Sequence, residues 1–165
     1  MWSEAWPSQE ILNLRKQFEA AIRLVEAPSR EQPDEVTRAL SRFLVVRASG
    51  YLEAVVDECC RSLIRSKAAP NVASFASSWF GTGRNPSPGK LLELVGKFNG
   101  DWKESLCKEF DEDDEYLRRE LDLLVSKRNR IAHGLGEGIG ARKALEFAST
   151  VTQVTNWFVK TFDPR

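Results

Sequence analysis

The longest uninterrupted helical pattern in the chain runs roughly from Glu35 to Lys67 and is closed by Ala68-Ala69-Pro70. Along it Val36, Leu40, Phe43, Leu44, Arg47, Tyr51, Val55, Cys59 and Leu63 trace one row. Val45, Val46, Leu52, Val56, Cys60 and Ile64 widen the apolar surface beyond a single stripe. A helix that is apolar on more than one side must lie between partners, so this one is expected at the centre of the core. Arg47 and Glu53 interrupt that surface. Charges in such places commonly reach water along their aliphatic stems or pair with a neighbour.

The partners are legible on either side. Met1 to Pro7 is read as a lead-in whose indoles, Trp2 and Trp6, lean on the domain, and Ser8 is a natural N-cap. From there Ile11, Leu14, Phe18, Ala21, Ile22 and Val25 recur every three or four residues, up to Ala27-Pro28. Ser29 to Pro33 is a polar connector, with Asp34 placed to cap the central helix. At the far end Ala144, Phe147, Val151, Val154, Phe158 and Phe162 repeat the same spacing.

Shorter elements fill the middle. Asn71 to Trp79 reads as a short helix, and Gly81 to Gly89, with three glycines and two prolines, as a surface loop holding Arg84. Ser87 or Pro88 opens a helix through Leu91, Leu92, Leu94, Val95 and Phe98 that Asn99-Gly100 closes. Asp101 to Phe110 forms a further short one. With no β-rich segment and no repeat, the expected fold class is all-α, a bundle of four main helices with short accessory helices, forming one domain over residues 1–165.

Composition narrows the function classes. Lys plus Arg number 24 and Asp plus Glu number 24, so no global positive field advertises a nucleic-acid partner, and any such field must be local. Three cysteines, two of them the neighbours Cys59 and Cys60, give neither a disulfide framework nor zinc-ligand spacing. They fit buried thiols in a reducing cytoplasm. No signal-like segment and no apolar run near 20 residues is present, so neither export nor a membrane span is expected. Asp111 to Glu115 puts five acids in the first turn of a helix carrying Leu117, Leu121, Leu124 and Val125, a placement the helix dipole favours. Acids adjacent on a helix fan around its axis and do not make a metal cage, and no cofactor is expected. The alternating glycines of Gly134 to Gly140 follow no strand and carry no phosphate-loop lysine, so they read as a link and not as a nucleotide site.

One stretch stands apart: Ser126-Lys127-Arg128-Asn129-Arg130-Ile131-Ala132-His133-Gly134, which holds the only histidine. Positions five apart on a continuous helix point about 140° apart, so Arg128 and His133 share a face only if the helix ends between them. The expected end lies near Arg128 to Ile131, with Gly134 as the stop. Taken alone, a histidine after three cations is also a plain partner for the last carbonyls of a helix.

The Arg-Asn-x-x-Ala-His-Gly pattern at the end of an acidic, leucine-rich helix, followed by a final amphipathic helix, resembles the HEPN superfamily. Ser49-Gly50-Tyr51-Leu52-Glu53, Ala69-Pro70-Asn71-Val72 and Leu121-Asp122-Leu123-Leu124-Val125 are similar to its RiboL-PSP and MAE-type branches, over roughly Val36 to Phe162. The resemblance implies a metal-independent endoribonuclease with an Arg-x4-6-His motif, here Arg128, Asn129 and His133. Lys127 and Arg130 are candidates to bind RNA, and Glu53 to hold Arg128 or its partner. It further implies a homodimer with the motif at its interface and a role in toxin–antitoxin or defence systems, opposite an antitoxin protein. The alternatives it leaves are a non-catalytic interaction or RNA-binding module and a partner of a nucleotidyltransferase.

In such chemistry a base takes the proton of a ribose 2′-hydroxyl, an acid supplies one to the departing 5′-oxygen, and a cation steadies the phosphorane. Imidazole, with an ordinary pKa of about 6.5, suits the first two roles. A guanidinium fork suits the third, because it can take two phosphoryl oxygens at once.

Overall fold

The central helix is as expected. In the computed structural model, which describes residues 5–27, 32–81, 83, 85–135 and 138–165, it spans Asp34–Lys67. In chain order the helices are α1 (Gln9–Glu26), α2 (Asp34–Lys67), α3 (Pro70–Ser77), α4 (Pro88–Phe98), α5 (Gly100–Ala132) and α6 (Ala141–Thr161). No strand occurs among the described residues, so the architecture is the all-α, HEPN-like bundle: α1, α2, α5 and α6 are the main helices, α3 and α4 the accessory ones. Trp2, the connector around Ser29, Arg84 and the loop positions Gly136 and Glu137 lie outside the described residues.

α2 packs against α1, α3, α5 and α6, and its Leu44, Val45, Ala48, Leu52, Val55, Cys59 and Cys60 are fully buried. All six of the apolar positions read along α6 are buried too. Three residues assigned to the α2 apolar surface are exposed, Val36, Phe43 and Val46 at 43%, 46% and 39%, and Leu40, Leu63 and Ile64 are half-buried. The reason is facing: Phe43 and Val46 flank the fully buried Leu44 and Val45 at a level that α1 covers through Gln17 and Arg47, so they lie on the side of α2 turned away from its neighbours, while Val36 belongs to its first turn.

Side-chain contacts fix the directions of the helices. Ser8 on the approach to α1 meets Glu58 of α2, and Gln17 accepts from Arg47, so α1 and α2 run antiparallel. The Trp6 indole donates to the Val159 carbonyl at 2.8 Å, whereas Ile22 and Glu26 line a cleft with Leu145, so α1 and α6 are also antiparallel. Trp102 packs on Phe162, Gln153 donates to Glu109, and Lys143 donates to Glu120, so α5 runs antiparallel to α6. It follows that the C-terminal end of α5 and the N-terminal ends of α2 and α6 share one end of the bundle. α3 lies at the other.

Capping follows the sequence with two amendments. Ser8 Oγ accepts from the Ile11 N–H at 3.3 Å and donates to Glu58 Oε1 at 3.2 Å, so one hydroxyl closes α1 and ties it to α2. That oxygen of the buried Glu58 also accepts from Ser62 and Arg65, which compensates a charge that would be costly if left bare. Asp34, expected as a cap, is instead the first residue of α2, and no side chain caps that end. Asn99 does more than end α4: its Oδ1 accepts from the Asp101 and Trp102 N–H groups and starts α5.

The acidic run is a correction. Asp111 to Glu115 does not form the first turn of the motif helix. α5 is broken there, with Glu112 extended and Asp113, Asp114 and Glu115 at φ values of 50°, 56° and 60°. Five adjacent like charges and the low helix propensity of aspartate disfavour a continuous helix, and aspartate tolerates the left-handed region better than most residues. Arg118 closes the break by donating to Asp111 at 2.7 Å while its guanidinium lies over the Phe110 ring. The motif therefore sits on a second arm of α5, residues 116–132.

None of the three cysteines forms a disulfide; Cys59 and Cys60 are buried and Cys107 is half-buried. Burial, with Cys60 and Glu58 adding to it, pushes the Cys59 thiol well above its usual pKa. Among the described residues no helix is long and apolar enough to cross a membrane, and no group of His, Cys, Asp and Glu is placed to hold a metal ion.

Candidate active site

The second arm of α5 buries Leu117, Leu121 and Leu124 in one row. Continuing that row by helical spacing of four and three gives Arg128 and then Ile131, which packs against the core from a half-buried position. Arg128 is thus on the inward side of the helix end and is half-buried. His133 falls on the opposite row with Ser126 and Arg130, all three exposed.

The helix ends between Arg128 and His133, within a residue of the expected place. It continues through Ala132, and His133 is its C-cap, with φ −87° and ψ 9°. The end is a Schellman turn. The Leu135 N–H donates to the Arg130 carbonyl at 3.0 Å and the Gly134 N–H to the Ile131 carbonyl at 3.1 Å, while Gly134 has φ +70°. Gly134 is the stop that the sequence indicated, and its left-handed geometry is open to glycine at little cost. The His133 N–H donates to the Asn129 carbonyl at 3.0 Å, so the backbone that carries the imidazole is fixed by three hydrogen bonds in succession.

Asn129 is one turn before His133 and shares its face, since residues four apart on a helix are neighbours. Arg128 joins them by a different route: its Nη1 donates to Asn129 Oδ1 at 3.0 Å, drawing the guanidinium around the helix toward the amide. Asn129 therefore bonds a half-buried cation and lies on the same face as an exposed imidazole. Lys127 is half-buried and Arg130 exposed, and both are engaged in contacts within the protein.

Glu53 is not brought to this end. It lines a cavity of about 430 Å³ between α2 and α4 with Asn85, Lys90 and Leu94, and none of Lys127 to His133 lines that cavity among the described residues. The antiparallel packing sets it roughly 30 Å along the bundle from the motif, at 1.5 Å per residue of α2.

What the sequence did not reveal is the brace behind the motif. The nearly buried Glu120 accepts two hydrogen bonds from Lys143 Nζ, at 2.8 and 2.7 Å, and the same ammonium reaches Glu146 at 3.2 Å and the Phe147 ring at 5.0 Å. Desolvation of the ammonium opposes its charge, yet the hydrogen bonds to Glu120 and Glu146 outweigh it and hold the Lys143 pKa above its usual value. Glu146, donated to by Lys143 and Arg142, is held below the usual carboxylate range. This network pins α5 to α6 on both sides of the loop that follows His133. Glu120 and Lys143 are 23 positions apart, and nothing local in the sequence marks them as a pair.

A helical bundle that presents an arginine, an asparagine and a histidine at one fixed helix end defines a class of small α-helical domains. The family model of RiboL-PSP-HEPN matches residues 6–162, from the approach to α1 to the end of α6, and the chain belongs to that family. The match takes in α1, which lay outside the resemblance read from Val36 onward. No curated protein and no solved structure matches the chain. Membership places the protein among HEPN-type domains, whose functions are nuclease-like or RNA-related.

Proposed function

We propose that the protein is a metal-independent endoribonuclease acting as a homodimer. The observation that carries this reading is the helix end itself: His133 and Asn129 on one face of a hydrogen-bonded Schellman turn, with Arg128 bound to Asn129 Oδ1. One His133 takes the proton of a ribose 2′-hydroxyl, and the 2′-oxygen attacks phosphorus. The bond from phosphorus to the 5′-oxygen breaks as a second imidazole donates a proton to that oxygen. The products are a 2′,3′-cyclic phosphate and a 5′-hydroxyl. Arg128 stabilises the charge on the phosphorane oxygens, and Asn129 orients Arg128 and the attacking hydroxyl.

One imidazole cannot act on both sides of the same phosphorus, and the chain has only one. A two-fold axis through the motif end supplies the second. The exposed Val36, Phe43 and Val46 near the start of α2 and Leu135 beyond His133 lie at that same end and favour an apolar contact between copies there. Expression as a toxin or defence component, restrained by an antitoxin protein, fits such an enzyme.

A second reading is favoured by one observation. Arg128 belongs to the inward row and His133 to the outward one, an arrangement suited to holding a phosphate without cutting it. A non-catalytic RNA-binding module or an assembly partner of a nucleotidyltransferase would need no more. Incubation with structured RNA in EDTA, with analysis of the ends, separates the two. Cyclic-phosphate ends that fall by about 10² to 10⁴ in rate with His133→Ala support the enzyme. An unchanged rate in that variant removes His133 from the reaction, and no cleavage by either protein leaves the binding module.

A further inference from the structure

α3 is built inside out. Its small residues Ala73, Ala76 and Ser77 are buried or half-buried, whereas its large apolar ones face water: Val72 is 58% exposed, Phe75 67%, and Trp79 just beyond the helix 62%. Phe75 and Trp79 touch edge to face, with ring centroids 6.0 Å apart, and form one aromatic surface. Large apolar side chains clustered in solvent mark a contact surface far more often than they mark a fold.

The charge around this surface says what it contacts. In a chain whose charges balance overall, no acid occurs from Cys59 to Leu92, and that segment carries Arg61, Arg65, Lys67, Arg84 and Lys90. The two acids just before it are turned inward: Asp57 accepts from the Gly81 N–H, and Glu58 from Ser8, Ser62 and Arg65. Lys67 is exposed on the last turn of α2, Arg65 keeps 47% of its side chain in solvent, and the Arg61 guanidinium lies against Gly81, two residues past Trp79. Asp163 lies near Lys67, but it is itself paired with Arg165, and Glu58 with Arg65, so cations remain in excess beside the rings. Aromatic faces on which bases stack, bordered by such an excess of cations, are the equipment of single-strand binding.

We propose that α3 and the basic end of α2 form a binding surface for single-stranded RNA, separate from the motif, with bases stacked on Phe75 and Trp79 and phosphates held by Arg61, Arg65 and Lys67. The proposal rests on RNA being the ligand of the motif end, and it gives that ligand a second point of attachment. The two points lie at opposite ends of the bundle, about 40 Å apart at 1.5 Å per residue of α2. The surface therefore acts on long single strands, retaining them while the motif end samples the same molecule.

The test is binding of a fluorescent single-stranded oligouridylate of about 20 nucleotides to the full chain carrying His133→Ala, which removes cleavage from the measurement. Phe75→Ala and Trp79→Ala are each expected to weaken binding about 5- to 150-fold, the range seen for losing one stacked base. Lys67→Ala should reduce the slope of log affinity against log salt by about 0.7. Leu12→Ala, an exposed apolar side chain on α1, serves as the control. Unchanged circular dichroism is expected for all four, since each side chain lies at the surface. Binding that ignores Phe75 and Trp79 overturns the proposal even if the wild-type protein cleaves RNA. So does a surface that binds phosphatidylserine vesicles or an acidic protein through these two rings but not RNA. Rings that bind RNA in a protein that never cleaves it uphold the surface and refute only the ribonuclease.

Discussion

Replacing Lys143 by methionine tests whether the brace behind the motif is as important as its geometry implies. The substitution keeps the length of the stem and its packing near Phe147 but removes both hydrogen bonds to Glu120, whose side chain is 11% exposed. Breaking a fully buried ion pair from one side costs about 3 to 5 kcal/mol, because a charge is left without a partner. Here the lysine side chain is 34% exposed, so water already screens part of the interaction. The expected cost is therefore reduced to about 1.5 to 3 kcal/mol. In a chain of this size that lowers Tm by roughly 3 to 12 °C. Urea unfolding followed by circular dichroism at pH 7 measures it. Glu120→Gln combined with Lys143→Met should recover a good part of the loss, since the stranded carboxylate is then gone. A single variant within about 0.5 kcal/mol of the wild type, or a double variant no better than the single, would refute the reasoning.

Three further outcomes follow from backbone and charge. Gly134→Ala should destabilise by about 1 kcal/mol, from the positive φ alone because nothing lies near the added methyl, while Glu115→Gly at the left-handed break should stabilise by about as much; paired thermal melts with shifts of the same sign would contradict this. Asp111, Glu146 and Asp163 are held below the usual carboxylate range by their Arg and Lys partners, so their contribution is present above the unfolded pKa of about 4 and lost as pH falls through the folded values. Acid unfolding should accordingly set in below about pH 4, and a loss of these contributions between pH 5 and 7 would be inconsistent with the pairs. Lys143 has the opposite sign: its contribution is complete below the ordinary lysine pKa of about 10.4 and is lost only as pH rises through its raised value, which alkaline titration of the wild type against Lys143→Met reads directly.

How much of this was legible in the sequence depends on the distance over which each feature is determined. The periodicity of α1 and α6 exposes their buried rows almost residue by residue, because a helix facing a core must repeat every three or four positions. The same rule overreached on α2. Val36, Phe43 and Val46 carry the pattern but stand in water, since the pattern does not say which side of a broad apolar surface the neighbours cover. The acidic run misled for a related reason. A helix dipole rewards acids at an N-terminus, but mutual repulsion among five of them prevails before a helix can form. Glu53 was assigned to the motif through likeness, and its place beside α4 is a tertiary fact with no trace in its neighbours.

The motif was half legible, and the half that was not bears on chemistry. Its residue types and the glycine stop are local, so they could be read. The helix does end between Arg128 and His133, but that end alone does not put both groups on one face. The structure meets that need otherwise: the helix persists to Ala132, Asn129 and His133 take one face, and Arg128 reaches round to Asn129 Oδ1 from the inward row. This makes the asparagine more than a bystander. If it holds the guanidinium in reach of a phosphate, Asn129→Ala should lose nearly as much activity as Arg128→Ala, and the double variant little more than either, because both changes remove the same function. Effects that simply multiply in the double variant would mean that Arg128 acts without Asn129 and that their hydrogen bond is only a surface contact.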